Sequence, residues 1–167
     1  MNIPVRVEPA AGSPADVDYR WDSDTDILSA SVRPADLAEK GRATALELEG
    51  DDGSWLILDV RSGRISGVEV AVWPDILTRA DLAPPHAVED GMVIVGAVER
   101  GVRPAVEVDT TLAAEADRSE RTIHFRLGAS RETRTVRIAR DILVDIDRRD
   151  RIAGLWLLGV PPCPDEP

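Results

Sequence analysis

The sequence is poor in the residues on which catalytic and metal sites are most often built. Its 167 residues include one cysteine, Cys163, and two histidines, His86 and His124. A lone cysteine can close no internal disulfide bond, and neither histidine has neighbours at the spacing of a zinc site. The sequence has no Gly-x-Ser-x-Gly, phosphate-loop or dinucleotide-binding glycine pattern. We therefore expect no cofactor, no metal ion and no catalytic residue, and we interpret the chain as a non-enzymatic protein.

Long hydrophobic segments are lacking as well. The longest apolar run, residues 92–98, is far shorter than the roughly 20 residues that a membrane-spanning helix needs. The amino terminus has no basic and apolar signal-peptide pattern. Hydrophobic residues still make up 43% of the chain, with only 4% aromatic residues, so a core of aliphatic side chains can form. These features predict a cytoplasmic protein that does not associate with a membrane.

Basic residues are outnumbered by acidic ones. The chain has 20 lysines and arginines against 31 aspartates and glutamates, a formal net charge of −11. Residues 1–83 carry 16 acidic and 8 basic residues, whereas residues 84–167 carry 15 and 12. An electric field of this sign repels nucleic acids and anionic lipids, and it speeds association with a cationic protein. The composition therefore predicts a basic protein partner and no nucleic-acid partner.

One β-hairpin pattern occurs twice in the chain. Apolar and polar residues alternate over residues 55–70 around a polar turn, and a similar order returns over residues 142–157. Two pairs of positions mark the match, Asp59 with Asp145 and Gly67 with Gly154. The second turn is one residue longer, because the first pair is 86 residues apart and the second pair 87. Such a repeat describes architecture and carries no information on chemistry.

Further segments predict strands and helices around these hairpins. Pro34 and Pro74 stand where a helix can begin, so short helices are predicted over residues 33–41 and 74–82. The expected fold class is mainly β: two pseudo-repeated antiparallel β-hairpin or meander modules, packed as one domain, with one or two short helices. Packing covers the apolar face that each module would otherwise leave bare. Strands are predicted at residues 2–7, 18–21, 27–32, 43–49, 92–98, 105–108, 123–127 and 133–138.

The predicted domain boundaries follow the proline-rich segments. A linker is expected around Pro84-Pro85, and the proline-rich carboxyl terminus is expected to be disordered. The segments are residues 1–17 (strand and connector), 18–74 (first β module), 75–104 (linker with the strand at 92–98), 105–160 (second β module) and 161–167 (tail).

Four segments of the first half resemble the small bacterial family called domain of unknown function 2283. They are residues 21–28, 58–60, 63–65 and 67–69, which follow an aromatic-Asp-x-x-x-Asp-x-Leu pattern, an Asp/Gly turn and a Gly-apolar-Glu ending. The second half resembles a divergent copy, in which Trp156 replaces the final glutamate. The resemblance implies a fold and no reaction. Members are often encoded beside small candidate toxins, which implies an antitoxin-like role.

The leading hypothesis is a cytoplasmic immunity or antitoxin-type protein that inhibits a cationic toxin. Toxic nucleases are basic because they bind phosphate, so an acidic inhibitor can match their charge. The predicted partner-binding residues are Asp16, Asp18, Asp22, Asp24, Asp26, Glu49, Asp51 and Asp52. One alternative is a metal- or small-molecule-dependent enzyme that uses Asp59, Glu69 and Asp145 in a groove between the two halves. Another alternative is a structural homo-oligomer held by exposed strand edges.

Several residue patterns have simpler interpretations. The Asp22-x-Asp24-x-Asp26 segment lacks the glycine and the closing acid of a calcium loop, since Ile27 and Arg33 occupy those positions, and it predicts a turn. The four tryptophans are expected to pack in the core, with the alternative that Trp55 or Trp156 faces outward as an interface anchor. The arginines between residues 131 and 151 are expected to pair with the acidic first half rather than to bind nucleic acid.

Overall fold

The computed structural model describes residues 3–10, 12–33, 43–96 and 105–164, and the mainly β fold predicted from the sequence is confirmed. Alternation of apolar and polar residues puts one side of most strands into the core. The strands within these residues are β1 (Val5–Pro9), β2 (Val17–Asp22), β3 (Ile27–Val32), β4 (Ala43–Gly50), β5 (Trp55–Arg61), β6 (Arg64–Val72), β7 (Ile76–Thr78), β8 (Val88–Val95), β9 (Ala105–Thr110), β10 (Leu112–Ala116), β11 (Ile123–Leu127), β12 (Thr133–Ala139), β13 (Ile142–Asp147) and β14 (Ile152–Leu157).

The strands form one curled sheet with two similar arms. The first arm has the pairing order β2-β3-β6-β5-β4-β9, and the second arm has the order β10-β11-β14-β13-β12-β8. In each arm the last strand pairs in parallel, β9 with β4 and β8 with β12, and the other pairs are antiparallel. The two arms therefore share a strand order. Whether they are a true repeat stays a prediction, because a shared strand order does not establish it.

The two hairpins align at the positions that the sequence pattern marks. Asp59 lies opposite Gly67 in the first arm, and Asp145 lies opposite Gly154 in the second, with a register shift after each aspartate. A Cβ atom on Gly67 would lie 3.0 Å from the carbonyl oxygen of Ala30, and one on Gly154 would lie 2.7 Å from that of Phe125. Glycine therefore allows a close approach of the neighbouring strand at both positions.

The segments between the hairpins tie the arms together. Strand β9 falls in the predicted second module but pairs with β4 of the first arm, and β8 pairs with β12, β1 and β6. The boundary predicted at residue 105 therefore does not separate two sheets. No helix forms over residues 74–82; Ile76–Thr78 is a short strand that pairs with the otherwise open edge of β10, and a turn follows it. The helix predicted over residues 33–41 lies almost wholly outside the described residues.

The inner faces of both arms form one hydrophobic core. Leu28, Leu56 and Leu58 of the first arm belong to the same buried cluster as Phe125 and Leu155 of the second. Each such side chain contributes about 1.5–3 kcal/mol by leaving water. The described residues contain no helix that is long and apolar enough to cross a membrane.

Aromatic side chains complete the packing between the arms. The ring centroids of Trp21 and Trp73 lie 5.7 Å apart, and Trp73 lies 6.0 Å from Phe125. The indole N–H of Trp21 donates a hydrogen bond of 2.8 Å to the carbonyl oxygen of Pro161. The tail predicted to be disordered from residue 161 therefore begins with a residue that is held against the first arm.

Candidate functional site

The outer surface of the first arm carries a band of carboxylates across four adjacent strands. Leucines of β4 and β5 point inward and are buried, so the residues between them point outward. Strands β4 and β9 pair in register, and β5 and β6 continue the surface on the other side of β4. We call this surface the acidic face, and its carboxylates are Glu47, Glu49, Asp59, Glu69, Glu107 and Asp109.

Like charges meet on the acidic face with little compensation beyond Arg61, which lies near Asp59. Glu47 lies directly beside Glu107 in the sheet, and Glu49 lies beside Asp109. Like charges on neighbouring strands destabilise a sheet. Within the part of the chain that the structure describes, none of the six carboxylates forms an ion pair within 4.0 Å. The fold therefore loses stability at this surface.

Two carboxyl groups of the acidic face have raised pKa values. Burial raises the pKa of Asp59, which the nearby Arg61 partly offsets. Burial also raises the pKa of Glu69, and the negative charge of Asp59 raises it further. The Asp59 carboxylate packs over Gly67, with Oδ2 3.0 Å from the position that a Cβ would take. Both pKa shifts mean that the charged forms are disfavoured in the free protein.

Apolar side chains interrupt the acidic face. Ile57 lies between Glu47 and Glu69 in the sheet and is partly buried. Trp55 lies between Glu49 and Val72, and 37% of its surface is exposed. Trp55 therefore follows the alternative of an outward-facing tryptophan rather than core packing. An exposed tryptophan rimmed by charge is a common arrangement in protein interfaces.

The predicted partner-binding residues fall at two ends of the first arm. Asp22, Asp24 and Asp26 lie at the β2–β3 turn, where Asp22 accepts a hydrogen bond from the backbone N–H of Asp24, as the turn interpretation predicts. Asp51 and Asp52 follow β4 at the same end of the sheet, next to Glu49.

Asp16 and Asp18 lie near the opposite end of β2. Both carboxylates pair with Arg33, and Asp16 also pairs with Arg140 of the second half at 3.1 Å. These two acids are partly neutralised within the chain. Of the predicted residues, Glu49 lies on the acidic face itself.

Asp145 has very different surroundings on the outer surface of the second arm. Its carboxylate is buried and accepts hydrogen bonds from Thr135 Oγ1 at 2.8 Å and from the indole N–H of Trp156 at 3.2 Å. The Nε2 atom of His124 lies 2.8 Å from Oδ2 of Asp145. The His124 ring also stacks on Trp156, with centroids 4.1 Å apart. We call these four residues the Asp145 network.

The three carboxylates of the enzymatic alternative do not form one site, because Asp145 lies apart from Asp59 and Glu69. Asp145 lines a cavity of the second arm to which neither Asp59 nor Glu69 contributes. Asp59 and Glu69 lie on the acidic face instead. The described residues contain no group of three or more histidine, cysteine, aspartate or glutamate side chains placed to hold a metal ion.

Four arginines between residues 131 and 151 pair with acids of the second half rather than of the first. Arg131 and Arg151 both pair with Asp147, at 2.8 and 2.9 Å. Arg134 pairs with Glu89, and Arg148 pairs with Glu132. The expectation of pairing with the acidic first half holds for Arg140 with Asp16. Acids and arginines of β12 and of the β13–β14 turn are close neighbours, so they form ion pairs with one another.

Comparison of the chain with protein-family models and with curated proteins finds no match. The resemblance to domain of unknown function 2283 therefore stays a prediction.

Sequence reasoning missed part of both surfaces. Alternation in β4 places Glu47 outward, but the parallel pairing that brings Glu107 beside it joins segments about sixty residues apart. His124 alternates with the buried Ile123 and Phe125, which indicates an outward side chain. The sequence does not show that His124 reaches Asp145 two strands away. This contact requires Gly154, which has no side chain, to lie on the strand between them.

Proposed function

We propose that the protein is a non-enzymatic binding protein whose acidic face docks a cationic protein partner. The observation that supports this proposal most is the repulsion between like charges on that face. Its six carboxylates have no ion-pair partner among the described residues, and two pairs of like charges lie side by side. A cationic partner would relieve this repulsion. The stability lost in the free protein would thus become binding energy in the complex.

The perturbed acids support the same interpretation. Burial raises the pKa of Asp59 despite the nearby Arg61, and burial together with the negative charge of Asp59 raises the pKa of Glu69. Residues that cost stability are retained more readily where they serve function. Lysine or arginine side chains of a partner would lower both pKa values and favour the ionised acids. Binding would therefore release protons at mildly acidic pH.

Trp55 and Ile57 supply the apolar part of the interface. Interfaces gain most of their binding energy from a few central aromatic or arginine side chains, whereas peripheral charges mainly set the association rate and specificity. Trp55 lies beside Glu49, so an apolar anchor and negative charges would meet one partner surface. This combination fits a basic protein better than it fits a nucleic acid, which the net charge of −11 repels.

The partner class that fits best is a small basic toxin, which the protein would neutralise in the cytoplasm as an immunity or antitoxin-type inhibitor. Nuclease toxins bind phosphate with a cationic surface, so a band of carboxylates can occupy that surface. The resemblance of residues 18–74 to a family often encoded beside candidate toxins points in the same direction.

Co-expression with the product of each adjacent reading frame tests the proposal. We expect one neighbouring product, a basic protein, to arrest growth when expressed alone. Co-expression should restore growth and yield a stoichiometric complex on the tagged chain. If every neighbouring product is harmless and fails to co-purify, the proposed inhibitory role is wrong.

A matched pair of variants locates the interface in that complex. Trp55→Ala removes the exposed tryptophan of the acidic face, whereas Leu77→Ala removes a side chain that is 62% exposed on β7 at the edge of the second arm. We expect Trp55→Ala to weaken the complex by about tenfold or more, because central anchors carry most of the binding energy. Leu77→Ala should leave the affinity nearly unchanged.

A further inference from the structure

The second arm has a cavity on its outer surface that the proposed function does not use. The cavity has a volume of about 310 Å³. Its walls come from β10 to β14, from the loop between β11 and β12, and from the segment that follows β7. His124, Asp145 and Trp156 of the Asp145 network line it together with Arg126 and Arg131. The volume is at the small end of the range that ligand sites occupy.

Most of the charged groups in the cavity wall have partners. Arg79 pairs with Glu115 at 3.3 Å and with Asp81 at 3.7 Å. Arg131 pairs with Asp147 and donates hydrogen bonds to backbone carbonyl oxygens. The Asp145 carboxylate is held by the other members of its network. These groups form their ion pairs and hydrogen bonds within the protein and need no ligand.

Arg126 is the exception. Its Nε atom is buried and has no hydrogen-bond partner, and none of the described carboxylates pairs with its guanidinium group. A buried polar atom without a partner is costly and calls for an explanation. The planar guanidinium group can hold a carboxylate with two parallel hydrogen bonds. The cavity therefore contains one positive charge that has no partner among the described residues.

We propose that this cavity binds a small organic monoanion whose carboxylate pairs with Arg126. One unpaired guanidinium group balances one negative charge, and Asp81 and Glu115 in the same wall would repel a second. Leu82, Ala83 and Ala153 provide apolar surface for the rest of the ligand. His124 is fixed by Asp145 and Trp156, so its remaining ring nitrogen, Nδ1, can form a directed hydrogen bond to a polar atom of the ligand.

Gly154 explains how the site is built into the sheet. It lies between Arg126 on β11 and Asp145 on β13 in the register of the second arm. A Cβ at this position would lie 3.1 Å from Nε2 of His124 and 2.9 Å from Oδ2 of Asp145. The absence of a side chain therefore lets His124 extend across β14 to Asp145. This inference does not depend on the acidic face, which lies on the other arm.

The test uses the indole N–H signals of the four tryptophans in a nitrogen-15 correlation spectrum of the full chain. The probes are acetate, butyrate and benzoate, with benzamide as the neutral analogue of benzoate and inorganic phosphate as the other anion. We expect at least one carboxylate to shift the Trp156 signal saturably while the Trp55 signal stays in place. Benzamide should produce no saturable shift, and phosphate should bind more weakly than the best carboxylate.

Two variants assign the binding to Arg126. Arg126→Gln should weaken binding of that carboxylate by about ten- to a hundredfold, because it removes a charge-assisted hydrogen bond. Arg20→Gln, which changes an exposed arginine on β2 of the first arm, should leave binding unchanged. If Arg126→Gln disturbs the fold, the comparison of benzoate with benzamide on the unchanged protein still shows whether binding requires a negative charge. The proposal is overturned if no carboxylate shifts Trp156 up to millimolar concentrations, if benzamide binds as well as benzoate, or if phosphate alone binds.

Discussion

Asp59 in the first arm and Asp145 in the second occupy matching places, but their neighbours differ. Each aspartate faces a glycine across its hairpin. Asp145 is surrounded by hydrogen-bonding partners, whereas the matching positions of the first arm supply none that reaches the Asp59 carboxylate. The matching positions are His124 and Ser29, Thr135 and Ala45, and Trp156 and Glu69. A carboxylate therefore stabilises or destabilises this sheet according to the residues beside it.

The exchange of Glu69 for Trp156 accounts for much of the difference. Trp156 donates its indole N–H to Asp145 and supports the His124 ring. Glu69 instead adds a second negative charge beside Asp59, which raises the pKa of Glu69. One arm has thus become a packed polar network with a cavity, and the other has become an open acidic surface. The difference suggests that the arms have separate roles.

Replacing Asp145 and Asp59 in two separate variants should give the largest difference in stability between the arms. Asp145→Ala leaves the donors of Thr135 and Trp156 buried without an acceptor, so we expect it to lower the free energy of unfolding by about 3 kcal/mol. Asp59→Ala should change the free energy of unfolding by no more than about 0.5 kcal/mol, because no described donor depends on its carboxylate. Urea unfolding at neutral pH measures both values. Equal losses in the two variants would contradict the comparison.

Asp147 should show the next largest effect, with a distinct pH dependence. Burial alone would raise its pKa, but hydrogen bonds from the side chain of Arg131 and from the backbone and side chain of Arg151 outweigh burial and lower the pKa to about 2. Its stabilising contribution is therefore complete above pH 3.8 and is lost as the pH falls towards 2. We expect Asp147→Asn to lower the free energy of unfolding by about 2 kcal/mol at pH 7. The deficit should shrink on acidification to pH 2; a deficit independent of pH would contradict this account.

The paired glycines provide a third test. Gly154→Ala would place a Cβ 2.7 Å from a backbone oxygen, so we expect a loss of about 1–3 kcal/mol. The closest contacts at Gly67 are 3.0 Å, and one of them is the Asp59 side chain, which can move. Gly67→Ala should therefore cost less than Gly154→Ala in thermal unfolding. A larger loss at Gly67 would show that the second arm is not the more tightly packed one.

Neutralising Glu69 should have the smallest effect, and it should stabilise the protein rather than destabilise it. The pKa of Glu69 is raised, so its ionised form costs stability. This cost is absent below the unfolded-state pKa, grows between the unfolded-state and folded-state values, and is complete above the folded-state value. We expect Glu69→Gln to increase the free energy of unfolding at pH 7 by no more than about 0.5 kcal/mol. Thermal unfolding at pH 7 and at pH 4 measures the change. Destabilisation at pH 7 would mean that Glu69 has a favourable partner.

Local patterns predicted much of the fold, and distant pairings account for what they missed. The two hairpins and the β2–β3 hairpin follow from alternation over a few residues. The segment Ile76–Thr78 was predicted to be helical and is a strand. The local sequence could not show this, because its partner on β10 lies almost forty residues further along the chain. The replacement of Glu69 by Trp156 was visible in the sequence. Its consequence was not, because Thr135 and His124 reach Asp145 only in the folded sheet.

The association rate of the co-purified partner tests the central claim most directly. Glu47→Gln with Glu69→Gln removes two charges that flank Ile57 on the acidic face. Asp90→Asn with Glu120→Gln removes two exposed charges on β8 and in the β10–β11 turn. We expect the first double variant to slow association by roughly tenfold at low salt and to flatten its salt dependence, with little change in the second. Equal rates for the two double variants would show that the acidic face does not direct binding.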